Sequence, residues 1–326
     1  MKAVVYSHYG PPEVLRIEEV PTPVPGEREI LVRTYATTVN SGDWRVRSLD
    51  VPFGFRLLSR LALGVTGPRN PILGSELAGE VVAVGSAARN FKVGDPVIVF
   101  SGVGLGCHAE YKCMPDDGRV VRKPSNLSFD EAAALAFGGS TALHFLQRAG
   151  LARGEKLLVN GASGTVGTTA VQLARHFGAE VTAVCSGANA DLVRRLGADH
   201  VIDYTREDFA AGGTRYDLIM DTAGTAPWPR AKHALADGGR LLVVLGGLPD
   251  MLRIPWVRMT RGIKVIAGPA AERLEDLRLL ATLAESGAYR PVIDRRYPFE
   301  QIVEAHRYVD SGRKRGSVVV TLAPPQ

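Results

Sequence analysis

The chain has 326 residues, 45% of them hydrophobic and 22% charged, and a formal net charge of +5. That balance excludes a disordered or fibrous chain, and the length predicts two domains rather than one. Lys and Arg are scattered without a dense basic run, so the positive charge points to a phosphate-bearing small molecule and away from nucleic acid.

Residues 1–123 read as short strands broken by Pro and Gly turns, a mostly antiparallel β domain, with strands predicted at 2–7, 29–39, 80–84 and 96–100. The first of these is a strand and not a signal peptide, and no apolar run has bilayer length, which excludes a membrane partner. Phe53, Phe55, Leu57, Leu58 and Leu61 form an apolar stretch suited either to a wall over a ligand or to core and subunit contact. Cys107, His108 and Cys113 have a superficial metal-site look but read as ordinary loop and strand residues. With Cys185 they complete a set of three cysteines, too few for a disulfide framework, so the expected compartment is cytoplasmic.

From Pro124 the period changes. Ser128-Phe-Asp-Glu131 is a capping box opening an Ala-rich helix. Apolar runs at 157–159, 181–185, 201–203, 218–221, 241–245 and 265–267 then alternate with helical segments, which predicts a doubly wound parallel sheet with ligands at the strands' carboxyl ends. A helix over 274–285 and a strand over 317–322 return to the first domain. The most informative stretch is Lys156-Leu-Leu-Val-Asn-Gly-Ala-Ser-Gly-Thr-Val-Gly167, a strand running into a glycine turn and then a helix with Val166, Ala170, Leu173, Ala174 and Phe177 on one face. Its turn reads Ala162-x-Gly164-x-x-Gly167, a dinucleotide fingerprint with Ala in the first Gly position, and Ser163, Thr165 and Val166 complete it. Amides at such a helix start, aided by the helix dipole, accept a pyrophosphate.

NAD-binding sheets carry Asp or Glu about 20 residues beyond this turn, at the end of the second strand. Here that strand ends Ser186-Gly187-Ala188-Asn189, with no carboxylate and with a Ser186 hydroxyl available to a 2′-phosphate. The missing acid favours NADPH over NADH. Asp191 opposes that preference; Arg194 or Arg195 compensates only if the helix geometry allows, and otherwise solvates a helix face.

Several pieces occur in a fixed order along the chain: Val39-Asn-Ser-Gly-Asp-Trp44, Ile72-Leu-Gly-Ser-Glu-Leu-Ala-Gly-Glu-Val81, Phe91-Lys-Val-Gly-Asp95, Ala109-Glu-Tyr111, Gly139-Ser-Thr-Ala142, the fingerprint, Leu196-Gly-Ala-Asp-His-Val-Ile-Asp-Tyr204 and Asp221-Thr-Ala-Gly224. Together they resemble the medium-chain dehydrogenase/reductase superfamily over nearly the full length, and within it the zinc-free quinone oxidoreductase (zeta-crystallin-like) branch. The resemblance implies an α/β fold: a chaperonin-10-like, mostly antiparallel β domain (1–123 and 270–326) joined to a doubly wound parallel Rossmann domain (124–269). Zinc alcohol dehydrogenases of the superfamily have Cys where this chain has Asn40 and His where it has Ser75, and the four closely spaced Cys of their structural zinc lobe are missing. The resemblance therefore implies no metal.

It further implies that Asn40 and Asp43 face the nicotinamide in the active-site cleft, that Thr141 contacts the nicotinamide half, that Tyr204 contacts the 2′-phosphate and that Gly246 lines the cofactor site. A Lys that relatives carry near Asn189 is absent, and Arg45 stands where relatives often have Tyr. Each residue also has a purely structural reading: Asn40 capping a turn, Asp43 fixing a loop, Thr141 capping a helix. Residues 251–257 either close the same cleft or join a dimer interface, and a homodimer is implied. The expected activity is NADPH-dependent, metal-independent hydride transfer to a quinone or α,β-unsaturated carbonyl (enone). The rivals are a zinc-dependent alcohol dehydrogenase and a non-catalytic NADPH-binding protein.

Overall fold

The computed structural model describes residues 1–248, 251 and 263–322. Of the apolar segment 251–257, all but Met251 lies outside the described residues. Among the described residues no helix is long and apolar enough to cross a membrane.

The chain divides into two compact units, one of Met1–Val51, Arg56–Phe137 and Glu272–Gln326 and one of Pro52–Phe55 and Gly138–Ala271. The sequence reading starts the second domain at 124. The division instead falls inside helix α4 (Ala136–Ala149), because the short helix α3 (Phe129–Ala133) packs on strands β3 and β4 of the first unit and carries its surroundings with it. Ser128 and Glu131 cap α3 reciprocally, as their spacing predicts.

In the first unit, β1 (Lys2–Val5) pairs with β2 (Arg16–Glu19), and isolated bridges join Ala3 to Ala109 and Val5 to Ile72. The main sheet is built around β3 (Glu29–Val39), whose alternation of Ile30, Val32 and Thr34 on one side with Leu31 and Arg33 on the other suits a pleated ribbon. Strand β4 (Glu76–Val84) lies antiparallel along one edge of β3, followed outward by β5 (Pro96–Phe100) and β7 (Val120–Arg122). The other edge of β3 is shared: β6 (Tyr111–Pro115) covers Glu29 to Arg33, and β15 (Ser317–Thr321) covers Ala36 to Val39. Parallel to β15 runs β14 (Ile293–Pro298). The sheet thus needs both ends of the chain.

Val39 leads into helix α1 (Ser41–Ser48), and helix α9 (Ile302–Asp310) packs against it. Arg47 of α1 is fully buried; its Nη2 reaches Asp310 Oδ2 at 2.5 Å and its Nε donates to the Gly10 carbonyl at 3.2 Å. Helix α2 (Arg56–Leu63) buries none of its residues, and Leu57, Leu58 and Leu61 are exposed, which removes the core alternative for them.

The second unit is a six-stranded parallel sheet in the order β10 (His200–Asp203), β9 (Glu180–Cys185), β8 (Lys156–Asn160), β11 (Tyr216–Asp221), β12 (Leu235–Val243) and β13 (Lys264–Ala267). Chain order reverses between β8 and β11, which makes their carboxyl ends the switch point where such sheets bind ligands. Leu158, Val184, Ile219 and Leu241 fill one face of the sheet core. β12 begins six residues earlier than predicted. Asp237-Gly238-Gly239 reads as a turn, yet the strand absorbs it through a positive φ at Gly238 and a register shift opposite Tyr216 and Leu218. Helix α8 (Leu274–Glu285) covers the predicted span.

Asp310→Ala strands the Arg47 guanidinium without its counter-charge. Partial exposure of Asp310 limits the loss to about 1–3 kcal/mol, below the range for fully buried pairs, visible as a lower denaturant midpoint.

Candidate active site

Helix α5 (Thr165–His176) starts directly after the glycine turn that follows β8, and no side chain caps its N-terminus. The first amides of a helix have no intrahelical carbonyl to bond, and a helix start of this kind suits an anion. The three glycines of the turn have separate reasons. Gly161 has φ +80°, and a Cβ there would meet Thr222 Oγ1 at 2.7 Å. At Gly167 a Cβ would lie 2.2 Å from the Gly161 carbonyl, so helix and turn could not close. Gly164 has an ordinary φ of −78°, and the nearest atom to its Cβ position is 3.6 Å away. Neither conformation nor packing requires glycine at 164. The open space above it is the room a diphosphate needs, so the turn fits a dinucleotide.

The fingerprint's first turn glycine is thus Gly161, one residue before the Ala162 that the sequence reading places there. Ala162 is buried, its amide bonded to the Val184 carbonyl. The Gly-x-x-Gly-x-x-Gly spacing was the available signal. Helix α4 closes on this corner: a Cβ at Gly138 would meet Thr165 Cγ2 at 2.7 Å. Thr141 lies in the second turn of α4, half-buried. Gly246 is buried just beyond β12.

At the end of β9, Ser186 precedes a short 3-10 turn without capping it, and Asn189 Nδ2 donates to Ser163 Oγ at 3.0 Å, tying that strand end to the glycine turn. Asn189 Oδ1 is buried with no partner among the described residues. Tyr204 is 60% exposed, one residue past β10. A carboxylate does stand here, from the neighbouring strand: register places Asp203 opposite Cys185, and a Cβ on Gly187 would approach Asp203 Oδ2 to 2.6 Å. Asp203 Oδ1 accepts from the Thr205 amide and hydroxyl, which hold the group below the usual carboxylate range, and Arg206 lies 3.8 Å from Oδ2. Its acceptor capacity is largely used within the loop. Arg194 pairs with Asp191, so Arg195 and Arg206 are the exposed cations nearby that Asp191 does not engage. At the switch point itself, Asn160 donates to Asp221 and Thr225, and Asp221 accepts four amides from residues 223–226. This carboxylate shapes a loop.

In the first unit, Asn40 and Asp43 form the capping box of α1. Asn40 Oδ1 accepts the amides of Gly42 and Asp43, and Asp43 Oδ2 accepts the Asn40 amide at 3.0 Å. Asn40 Nδ2 donates to Ser75 Oγ at 2.8 Å. Burial pushes the Asp43 carboxyl up to about 7 against the downward pull of the Asn40 and Gly74 amides and Arg47, and its Oδ1 has no partner among the described residues. Glu76 is likewise raised to about 7 by burial, while accepting from Thr38 Oγ1 at 2.5 Å and the Phe137 amide at 2.6 Å. His108 bonds the Thr38 carbonyl at 3.0 Å and packs edge-on to His306; burial pushes His108 down to about 4 and the Cys107 thiol up to about 12. Among the described residues no three His, Cys, Asp or Glu side chains converge as metal ligands. Arg45 lies over the Trp44 ring at 4.9 Å and donates to the Asp50 carbonyl.

Two outcomes follow from this geometry. Gly164→Val leaves the thermal midpoint nearly unchanged but weakens nicotinamide nucleotide binding by more than about tenfold, measured by fluorescence titration. For Asp43, the native state keeps a proton that the unfolded chain releases near pH 4, so its contribution is full below that pH and is lost as pH rises through about 7. Asp43→Asn removes that loss: its stability relative to wild type climbs between pH 4 and 7 and is flat above, in denaturation midpoints across pH.

Residues 26–125 match the alcohol dehydrogenase GroES-like domain family, and residues 196–320 match the zinc-binding dehydrogenase family. The 2-methylene-furan-3-one reductase of Solanum lycopersicum is 33% identical over 336 residues, spanning 99% of this chain and 80% of the relative. An NADPH-dependent alkenal/one oxidoreductase, chloroplastic, from Arabidopsis thaliana is 30% identical, spanning 99% and 80%. The solved quinone oxidoreductase of Coxiella burnetii superposes with a TM-score of 0.86 at 28% identity, covering 99% of both chains. With a nucleotide turn in one unit and a buried polar constellation in the other, the chain belongs to the medium-chain dehydrogenase/reductase family, in its quinone oxidoreductase branch, and is an oxidoreductase.

Proposed function

We propose that the chain is an NADPH-dependent, metal-independent reductase of quinones or α,β-unsaturated carbonyls. The observation that carries this reading is the 2.8 Å hydrogen bond between Asn40 and Ser75. These stand where zinc-dependent relatives place Cys and His, and an amide bonded to a hydroxyl supplies neither the thiolate nor the imidazole that zinc prefers. Without a Lewis acid, simple alcohol chemistry is disfavoured, whereas a conjugated acceptor delocalises the charge it gains and needs only hydrogen-bond donors.

NADPH, when bound, supplies the hydride. The open space at Gly164 and the start of α5 at Thr165, Val166 and Gly167, with Ser163 beside them and Ala162 packed beneath, receive its diphosphate; Thr141 serves its nicotinamide half and Gly246 lines the cofactor site. Ser186, whose hydroxyl caps nothing, and the exposed Tyr204 receive the 2′-phosphate, with Arg195 supplying charge in place of the missing Lys. Asp203 is occupied by Thr205 and Arg206, which supports NADPH over NADH. Asn40 donates to the acceptor's oxygen. Asp43 fixes Asn40 through the capping box, and with its buried carboxyl raised to about 7 it is only partly ionised near neutrality, which limits the negative charge beside the acceptor. The reading includes a homodimer in a reducing compartment, the cytoplasm, which suits the three free thiols.

The test is an acceptor screen with NADPH and NADH side by side, with metal content measured on the same sample. Quinones and enones are expected to drive NADPH oxidation that chelators leave unchanged, with NADH at least about tenfold less efficient in kcat/KM. Stoichiometric zinc with chelator-sensitive alcohol oxidation would overturn the reading, as would tight nucleotide binding with no turnover across the panel.

A further inference from the structure

The polarity of the hydrogen bonds around Asn40 can be assigned without ambiguity. Its Oδ1 accepts two backbone amides, which only an oxygen can do, so the other end of the amide is the NH2 group. That group donates one hydrogen to Ser75 Oγ. Ser75 Oγ is therefore the acceptor in this pair, and its own hydrogen is left over, as is the second hydrogen of Asn40 Nδ2. No described residue takes either one. The nearby carboxylates are not in use as acceptors for them: Glu76 is engaged by Thr38 and Phe137, and Asp43 Oδ1 has no partner.

The hydroxyl is also held still. A Cβ on Gly74, at φ +92°, would come within 2.4 Å of the His108 ring and 2.6 Å of its amide nitrogen, so the turn before Ser75 is pressed against Cys107 and His108. The Ser75 carbonyl accepts the Gly102 amide at 2.9 Å, and the next residue enters β4. Ser75 and Asn40 keep only 6% and 2% of their surface, so little water competes for their hydrogens. Two leftover donors on adjacent, immobile groups form a preorganised site for one oxygen that gains negative charge.

We infer that Ser75 Oγ–H and Asn40 Nδ2–H together form an oxyanion hole for the carbonyl oxygen of the quinone or enone, with Ser75 a catalytic residue in its own right. The inference rests on the proposed reductase reading and assigns its acceptor site. Two electrons arrive at the acceptor with the hydride and form a C–H bond at the β-carbon. The alkene pair shifts toward the carbonyl carbon and the carbonyl π pair moves onto oxygen. The two donors meet that oxygen until a solvent proton neutralises the product. Buried polar donors of this kind also select for acceptors with a carbonyl in conjugation, because an alkene lacking it leaves both hydrogens unpaired.

The test compares wild type with Ser75→Ala and Ser75→Cys, each checked for an unchanged thermal midpoint, under saturating NADPH with a reducible enone. Ser75→Ala is expected to lower kcat about 100-fold with the NADPH dissociation constant unchanged, and Ser75→Cys to lie between. A second readout needs no turnover: 4-nitrophenol added to the protein with NADP+ is expected to bind as its yellow phenolate, with an apparent pKa lowered by wild type and not by Ser75→Ala. Ser75→Ala at near wild-type kcat, or an equal loss in nucleotide affinity, overturns the inference. A wild-type enzyme inactive on every acceptor overturns the reductase reading instead, and the phenolate spectrum still decides whether the two donors bind an oxyanion.

Discussion

An asparagine side chain has one accepting end and one donating end, and the start of helix α1 claims the accepting end of Asn40. The capping box is a modest local interaction, of the order of 1 kcal/mol for such caps. Its consequence is larger than its energy. Once Gly42 and Asp43 hold Oδ1, the amide cannot rotate, Nδ2 must face Ser75, and the donor and acceptor roles of every neighbour are set. The capping box of Asn40 and Asp43 and the chemical role proposed for them use the same arrangement. Burial of Asp43 and Glu76, each raised to about 7, keeps this corner from becoming strongly anionic at neutral pH.

The nucleotide turn follows a comparable logic of exclusion. Gly161 is needed for a left-handed turn and Gly167 for close packing of helix on turn, whereas Gly164 is needed by nothing in the chain itself. In a nucleotide-binding turn, that open position is the room a diphosphate needs. The loop that ends β11 has its own carboxylate engaged by amides, so Asp221 acts as a hub for residues 223–226.

Much of this was legible in the sequence. Strand β5, helix α8 and the long β3 have the predicted bounds because apolar periodicity and turn residues agree there. Strand β14 and helix α9 are not marked in the sequence: three of the six residues of Ile293–Pro298 are charged and none is fully buried, and α9 has no capping side chain at Gln301. Asp203 escaped notice because its relevance comes from register with β9, and no reading of one strand end reveals the neighbour's. Ser75 was legible only as a residue that does not bind zinc. Its use as a donor depends on a contact with Asn40, 35 positions away, and on which way an amide points.

The first unit also has a temporal consequence. Its central strand β3 is completed on one edge by β15, so the sheet stays open until residues 317–321 have been made. The parallel sheet, carried by one continuous stretch after Gly138, has all its strands available long before that. At ribosomal speeds, the nascent β3 waits on the order of ten seconds or more for its partner. During that interval the Ala36–Val39 edge of β3 lacks its partner strand, and the Arg47–Asp310 pair is among the last contacts of this unit to form.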